Sequence, residues 1–292
     1  SEETTQAEIG KDVLIFEQTQ RLSHIITTDS VCDLPESLKK KLHISVCPYY
    51  ICTDQGRFLD ELELKADELL SLMASGKNCY SQAPDVEDYE RFFAEKLTEA
   101  QNVIHITMAK NAGQGYYNAL EAAKSFENVT ILDSGHLSGG MGLAVLYAAS
   151  MAEKHISKAE IIHAVKKLRH YISSTSIIDS THMMCQAGKI PKRVEILCDT
   201  LLLHPIIQLR QSKMIVSGLA IGNFTHIARH YVRKMLINAG NIDRRILFIT
   251  YVGMDDEKLR YIQSLVNQYC PFERIYLQKA SSAVACNCGP GS

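Results

Sequence analysis

Residues 29–35, with the sequence D-S-V-C-D-L-P, combine carboxylates and a hydroxyl in a position suited to binding a ligand. They follow a short apolar run at 24–28 that predicts a strand, and a helical pattern comes directly after them. Asp29, Ser30 and Asp33 are therefore expected at the carboxyl end of a strand. Ligands of open α/β sheets bind at that edge. These side chains are the first candidates for ligand contact.

Two other patterns contain side chains that can ligate a metal. Cys286 and Cys288 form a C-x-C motif without a second pair at zinc spacing. His226 and His230 lie four residues apart on one face of a predicted helix and would need a third partner. Buried thiols and a solvated helix face are the better interpretations, so we predict no metal. No G-x-G-x-x-G follows the first strand, which argues against a nucleotide-binding dehydrogenase, and we predict no catalytic residue and no cofactor.

The elements that must position these residues alternate between strand and helix, which is typical of parallel α/β units. Strands are predicted at 24–28, 44–51, 102–107, 129–132, 174–178, 205–209, 214–219, 246–252, 274–277 and 283–286. Helices are predicted at 36–42, 86–97, 115–124, 139–153, 158–171, 194–201, 223–238 and 255–268. The pair at 205–219 resembles a hairpin, and the other elements favour an α/β fold.

The chain is long for a single core and suits two α/β domains of ordinary size. A break near 155–175 divides a first domain at 23–160 from a second at 161–292, and 1–22 is expected to be a tail or linker. The polar start and the turn-like end at 287–292 suggest part of a longer multidomain chain.

Composition limits the possible partners and compartment. The 292 residues are 46% hydrophobic and 22% charged, a profile typical of soluble globular proteins. A formal charge of -2 without a basic cluster argues against nucleic acid, and no apolar run approaches the roughly 18 residues of a membrane span. Nine cysteines lack the even framework of a secreted disulfide scaffold, so a cytoplasmic protein with reduced thiols is expected.

Five segments resemble, in order, the motifs of the DegV family of bacterial proteins. The first is 29–35, similar to D-S-T/S-A-D-L-P; the others are S-Q-A-P at 81–84, the region 106–119 with A-G-Q-G-Y, A-G-K-I at 187–190 followed by L-H-P-I-I at 203–207, and N-C-G-P-G at 287–291. Each motif is weak alone, but the resemblance covers about 23–292.

The resemblance implies two α/β domains with a lipid-binding cleft between them. A long-chain fatty acid would lie in an apolar tunnel, with its carboxylate at the interdomain mouth, where a partner fatty acid kinase converts it to an acyl phosphate. The chain would then be a carrier and not itself an enzyme. An alternative is a lipid-sensing regulatory domain that binds fatty acid without phosphoryl transfer.

A buried carboxylate needs hydroxyl donors and backbone N–H groups at a helix N-terminus. Ser81 is the candidate hydroxyl, and Gly113, Gln114 and Gly115 open a helix whose free amides would cradle the anion. Ser30 and Asn287 are further candidates. Two other interpretations stay open: Ser81 and Gln82 as caps of the helix that begins near Pro84, and the two glycines as plain turn residues.

Several positions depart from the family pattern. Tyr80 stands where a hydroxyl-bearing Thr usually contacts the carboxylate, and Asn287 holds the place of the closing His. Lys189 replaces an Arg and His204 replaces a Lys in the groups expected to face a partner or a phosphate. Because Lys cannot reproduce the bidentate contact of Arg, ligand binding is better supported by the sequence than phosphoryl transfer.

Overall fold

A computed structural model describes residues 21–178, 181–182, 185, 191–210, 212–237 and 241–292 of the chain. The strands are β1 (Ile25–Asp29), β2 (Ser45–Cys47), β3 (Tyr50–Thr53), β4 (Gly56–Leu59), β5 (Tyr80–Gln82), β6 (Val103–Thr107), β7 (Val129–Asp133), β8 (Thr175–Ile177), β9 (Leu203–Arg210), β10 (Lys213–Ile221), β11 (Ile246–Tyr251) and β12 (Arg274–Lys279). The helices are α1 (Glu36–Lys41), α2 (Ala66–Ala74), α3 (Val86–Glu99), α4 (Gly115–Ala122), α5 (Ser138–Glu153), α6 (Lys158–Leu168), α7 (Lys192–Thr200), α8 (Phe224–Ile237), α9 (Asp256–Tyr269) and α10 (Ser282–Cys288). The predicted α/β class is confirmed.

A parallel sheet in the order β2-β1-β6-β7 forms the centre of the N-terminal half. All residues of β1 and β6 are buried, as expected for a parallel sheet covered by helices on both faces. The register pairs Thr107 with Asp133, and Asp29 ends the neighbouring strand. The carboxyl ends of these strands therefore share one edge of the sheet.

The predicted strand at 44–51 is wrong as a single element. Pro48 has no backbone N–H and interrupts it, so β2 joins the parallel sheet and β3 joins a separate antiparallel sheet in the order β4-β3-β5. This second sheet, which the sequence analysis missed together with α2, places Ser81 opposite Ile51.

The C-terminal half contains an antiparallel sheet in the order β10-β9-β8 and a parallel pair, β11 and β12. The hairpin predicted at 205–219 is confirmed by the pairing of β9 with β10. Helices α8 and α9 pack together through Ala228, Val232, Leu265 and Val266.

The predicted strand at 283–286 is wrong, because this segment is helix α10. The Ser281 side chain accepts a hydrogen bond from the Val284 N–H, and Gly289 ends the helix with a φ of 74°. A short apolar run does not distinguish a strand from a helix, whereas these flanking residues favour a helix. Although α10 belongs to the C-terminal half in sequence, it packs against α2 and β5 of the N-terminal half.

The predicted boundary between 160 and 161 falls inside α6, and the division into 1–22, 23–160 and 161–292 stays a prediction. Within the described residues, no helix is both long and apolar enough to cross a membrane.

Candidate functional site

An apolar cavity of about 300 Å³ lies in the C-terminal half. It is bounded by the β8–β9 sheet, by α8 and β11, and by the first turn of α5 and the end of α10. Among the described lining residues there is no Lys, Arg, Asp or Glu. The side chains that form its apolar wall include Leu143, Ile177, Ile207, Ile227, Ala228, Val232, Met235, Leu247, Ile249 and Val284.

Helix α8 supplies one wall because its apolar residues recur at helical spacing. Ile227, Ala228 and Val232 are buried and border the cavity, whereas Arg229 and His230 are exposed on the opposite face. Tyr231 also borders the cavity, and its hydroxyl lies 2.6 Å from the hydroxyl of Thr175 on β8.

Helix α10 connects the cavity to Ser81. Val284 and Cys288, four residues apart on the helix, border the cavity. Asn287 lies between them in sequence, and its Nδ2 donates to Ser81 Oγ over 3.0 Å and to the Ala283 carbonyl over 2.9 Å. Two predicted ligand-binding residues are thus in contact with each other at the end of one cavity wall.

Ser81 and Tyr80 point in opposite directions because neighbouring strand residues alternate. Tyr80 is 56% exposed, whereas Ser81 is half-buried and lies beside α10. The interpretation of Ser81 as a helix cap is wrong, since Asp85 caps α3 by accepting from the Asp88 N–H.

The turn at 113–115 precedes α4, as predicted, with Gln114 at the N-cap. In the described part of the chain, no acceptor is found for the backbone N–H groups of these three residues. A Cβ on Gly115 would lie 2.1 Å from Tyr49 Oη, so only glycine fits there. The Gln114 side chain donates to Asn118 within α4 and leaves the turn open.

The Ser30 hydroxyl, by contrast, already makes hydrogen bonds within the protein. Its hydroxyl donates to Asp60 Oδ2 over 2.5 Å and accepts from the Tyr49 N–H over 3.0 Å. Asp29 is fully buried and accepts from the Tyr89 hydroxyl over 2.7 Å.

Three carboxylates bind the first turn of α10. Asp33 accepts from the Ser281 N–H over 2.8 Å, Asp60 from the Ala283 N–H over 3.0 Å, and Glu61 from the Ser282 N–H over 2.9 Å. Burial raises the pKa of Asp33 to about 7 and that of Asp60 to about 6. Backbone N–H groups at a helix start have no acceptor within the helix, and these hydrogen bonds supply one and fix α10 to the N-terminal half.

Ser174 on the cavity wall is paired with His136, which lies behind it. The Ser174 hydroxyl lies 2.8 Å from His136 Nδ1, and His136 Nε2 lies 2.9 Å from the Arg169 carbonyl. Burial lowers the pKa of His136. No sequence pattern indicated this pair, although His136 follows the carboxyl end of β7, where ligand contacts are expected.

The structure describes one of the two positions expected to face a partner, His204, but not the other, Lys189. His204 is 9% exposed and borders the cavity. Lys189 lies outside the described residues. Among the residues that the structure describes, no cluster of three or more side chains is arranged to hold a metal ion.

Comparisons with known proteins point to one family. A family model whose description reads "Uncharacterised protein, DegV family" matches residues 23–292. A DegV domain-containing protein of Caldanaerobacter subterraneus subsp. tengcongensis is 25% identical over 268 residues, which is 91% of this chain and 95% of that protein.

Solved structures share the fold. A DegV family protein from Thermus thermophilus, described by its fatty acid binding, has a TM-score of 0.79 at 23% identity, over 92% of this chain and 96% of that one. A Eubacterium eligens DegV family protein loaded with heptadecanoic acid has a TM-score of 0.78 at 18% identity, over 92% and 96% of the two chains.

Proposed function

We propose that this chain, which belongs to the DegV family, binds a long-chain fatty acid with its tail in the apolar cavity of the C-terminal half. The observation that carries the proposal is the cavity itself. Its volume of about 300 Å³ lies in the range of small-molecule pockets, and its described lining contains no Lys, Arg, Asp or Glu.

An alkyl chain is the ligand that gains most from such a wall. Burial contributes roughly 0.8 kcal/mol per methylene, on the order of 12 kcal/mol for about 16 carbons before ordering costs. A flat polar ligand such as a nucleotide would leave hydrogen-bonding groups unpaired here. The chemistry of the wall therefore favours lipid over nucleotide.

The carboxylate would be held by Ser81 and by the amides of Gly113, Gln114 and Gly115. Asn287 already donates to Ser81 Oγ, which directs the serine proton toward another acceptor, and an ionised carboxylate is a strong one. We assign Asn287 the role of orienting Ser81. Ser30 would contribute little directly, because its hydroxyl donates to Asp60.

Solved relatives support the ligand class. Relatives of the same fold are described as fatty acid binding or carry heptadecanoic or vaccenic acid. An acyl tail of that kind would lie in the apolar cavity of the C-terminal half of this chain.

Presentation of the carboxylate to a partner kinase is the finer part of the proposal, and a lipid sensor without phosphoryl transfer is the second candidate. The burial of His204 beside the cavity favours the sensor, because a group that serves an external phosphate should reach the surface. Incubation with a bacterial fatty acid kinase, ATP and a fatty acid separates the two. Acyl phosphate formation supports a carrier, and binding without turnover supports a sensor.

Native mass spectrometry of the undenatured protein tests the ligand class directly. We expect one long-chain fatty acid per chain, released on denaturation and rebound after removal of lipid. Repeatedly empty protein that also fails to take up added fatty acid would contradict the proposal.

A further inference from the structure

We infer that Ser174 and His136 form a nucleophile–base pair that hydrolyses an activated acyl group, an ester or thioester, whose chain occupies the cavity. The inference goes beyond carriage of a free acid, and it rests on the proposed function in that it uses the same apolar cavity for the acyl chain. Its basis is the hydrogen bonding of the pair, the place of Ser174 on the cavity wall, and the positions of the first turn of α5 and the end of α6 beside the pair.

The protonation of His136 follows from its partners. The Arg169 carbonyl can only accept a hydrogen bond, so Nε2 carries the proton in that 2.9 Å contact. In the neutral ring Nδ1 is then unprotonated and accepts from the Ser174 hydroxyl over 2.8 Å. This arrangement has a serine, a base and a group that orients the base, the features that activate a serine in unrelated hydrolases.

His136 is held firmly by its own backbone. Its N–H donates to Ser134 Oγ over 3.1 Å, and its carbonyl accepts from the Ala109 N–H over 2.7 Å. Arg169 is fixed in turn, because its guanidinium donates to the Asp133 carboxylate over 3.3 Å. Because these contacts fix the ring, it faces Ser174 without needing a further rearrangement.

The start of α5 and the end of α6 lie beside the pair. Gly140 lies in the first turn of α5, and a Cβ there would be 1.8 Å from Ser174 Oγ, so the serine oxygen lies beside the first turn of this helix. The first amides of a helix have no intrahelical acceptor and favour a negative oxygen. Arg169 is the C-cap of α6, so its carbonyl lies at a negative helix end that favours a protonated His136.

These surroundings favour a nucleophile over a further carboxylate-binding hydroxyl. A serine that donates to histidine has no proton left for a carboxylate. Ser174 also borders the cavity, which a purely structural serine–histidine contact would not require.

The reaction balances with water as the only co-reactant. Ser174 Oγ attacks the acyl carbonyl carbon and passes its proton to His136 Nδ1, and the amides of α5 stabilise the negative oxygen. The bond to the leaving group breaks, and His136 returns the proton to the alcohol or thiol. Water then attacks the acyl-serine with His136 as base, which releases the fatty acid and regenerates Ser174.

The test uses the whole chain freed of lipid and p-nitrophenyl esters of increasing acyl length. We expect the long-chain ester to be hydrolysed about 100-fold faster by the wild type than by Ser174→Ala. Activity should appear above an apparent pKa lower than the ordinary histidine value of 6.5, since burial lowers that of His136. Ser264→Ala, which removes an exposed hydroxyl on α9, is the matched control and should keep the wild-type rate.

A fluorophosphonate probe gives a readout that does not depend on any variant folding. It should label Ser174 of the wild type, as located by peptide mass spectrometry. Equal ester hydrolysis by the wild type and Ser174→Ala, with no probe on Ser174, would overturn the inference. Displacement of a fluorescent fatty acid from the same samples separates the two proposals. If fatty acid binds but Ser174 neither hydrolyses the ester nor takes up the probe, only the hydrolase inference is overturned. If Ser174 hydrolyses the ester but free fatty acid does not bind, only the fatty acid proposal is contradicted.

Discussion

The two halves of the molecule share an alternation of strands and helices but complete their interiors differently. In the N-terminal half, the edge where strands end is closed by the protein itself: Asp29 binds Tyr89 and His105, and Asp33 and Asp60 bind α10. In the C-terminal half, the helices and strands leave an apolar cavity. Polar groups at a strand end can therefore serve to fix an adjoining element, while the N-terminal half contributes to the space for a ligand mainly through the start of α5.

Truncation of one core residue in each half should give the sharpest contrast. Phe93 is fully buried on α3 among Tyr89, Val103 and other residues of a filled core, so Phe93→Ala should lower the free energy of unfolding by about 3–5 kcal/mol. Met235 borders the cavity, so Met235→Ala should cost less than about 2 kcal/mol, because the site already contains space. Urea unfolding measures both, and equal losses would remove the distinction between the halves.

Loss of the Ser81 hydroxyl tests the junction between the halves. Ser81→Ala should weaken fatty acid binding roughly 10- to 100-fold, because a hydrogen bond to a charged group contributes about 1.5–3 kcal/mol. Calorimetric titration of the lipid-free protein measures the change. Ser71→Ala removes an exposed hydroxyl on α2 and should bind as the wild type does; a similar loss in both variants would exclude a specific role for Ser81.

The pH dependence of stability tests the carboxylates that fix α10. Burial raises the pKa of Asp33 to about 7, aided by the nearby Asp60 carboxylate. A raised carboxyl pKa contributes stability at low pH that is lost as pH rises through about 7. Between pH 5.5 and 7.5 the wild type should therefore lose up to roughly 2 kcal/mol from this group.

Asp33→Asn should flatten that decline, measured by urea unfolding across the same pH range. The control is Asp243→Asn, a surface position where Arg245 lowers the pKa to about 2, and its decline should match the wild type. A decline that persists unchanged in Asp33→Asn would show that this carboxyl does not titrate as described.

Tyr80 should show the smallest effect. Its side chain is 56% exposed on the face of β5 away from Ser81, so Tyr80→Phe should change fatty acid affinity by less than about twofold. A large loss, measured in the same titration, would mean that Tyr80 turns inward when ligand binds.

The sequence predicted the alternation of elements, the hairpin of β9 and β10 and the turn at 113–115, because these depend on local pattern. The strand predicted at 44–51 is wrong because Pro48 divides one apolar run between two sheets. The strand predicted at 283–286 is wrong because so short an apolar run shows neither the helical nor the strand periodicity. The contact between Ser174 and His136 could not be predicted, because it joins the loop after β7 to the residue before β8, 38 positions along the chain. The pairing of Ser81 with Asn287 joins residues 206 positions apart and likewise needs tertiary packing.

Titration of hexadecanoate into lipid-free variants measures most directly whether an acyl tail fills the cavity of the C-terminal half. Ala228 is buried on α8 and borders the cavity, so Ala228→Phe should occupy the space of the tail. Ala94→Phe makes the same change on the exposed face of α3 and serves as the control. We expect binding to be lost in Ala228→Phe and retained in Ala94→Phe; wild-type affinity in a folded Ala228→Phe variant would show that the tail does not lie in this cavity.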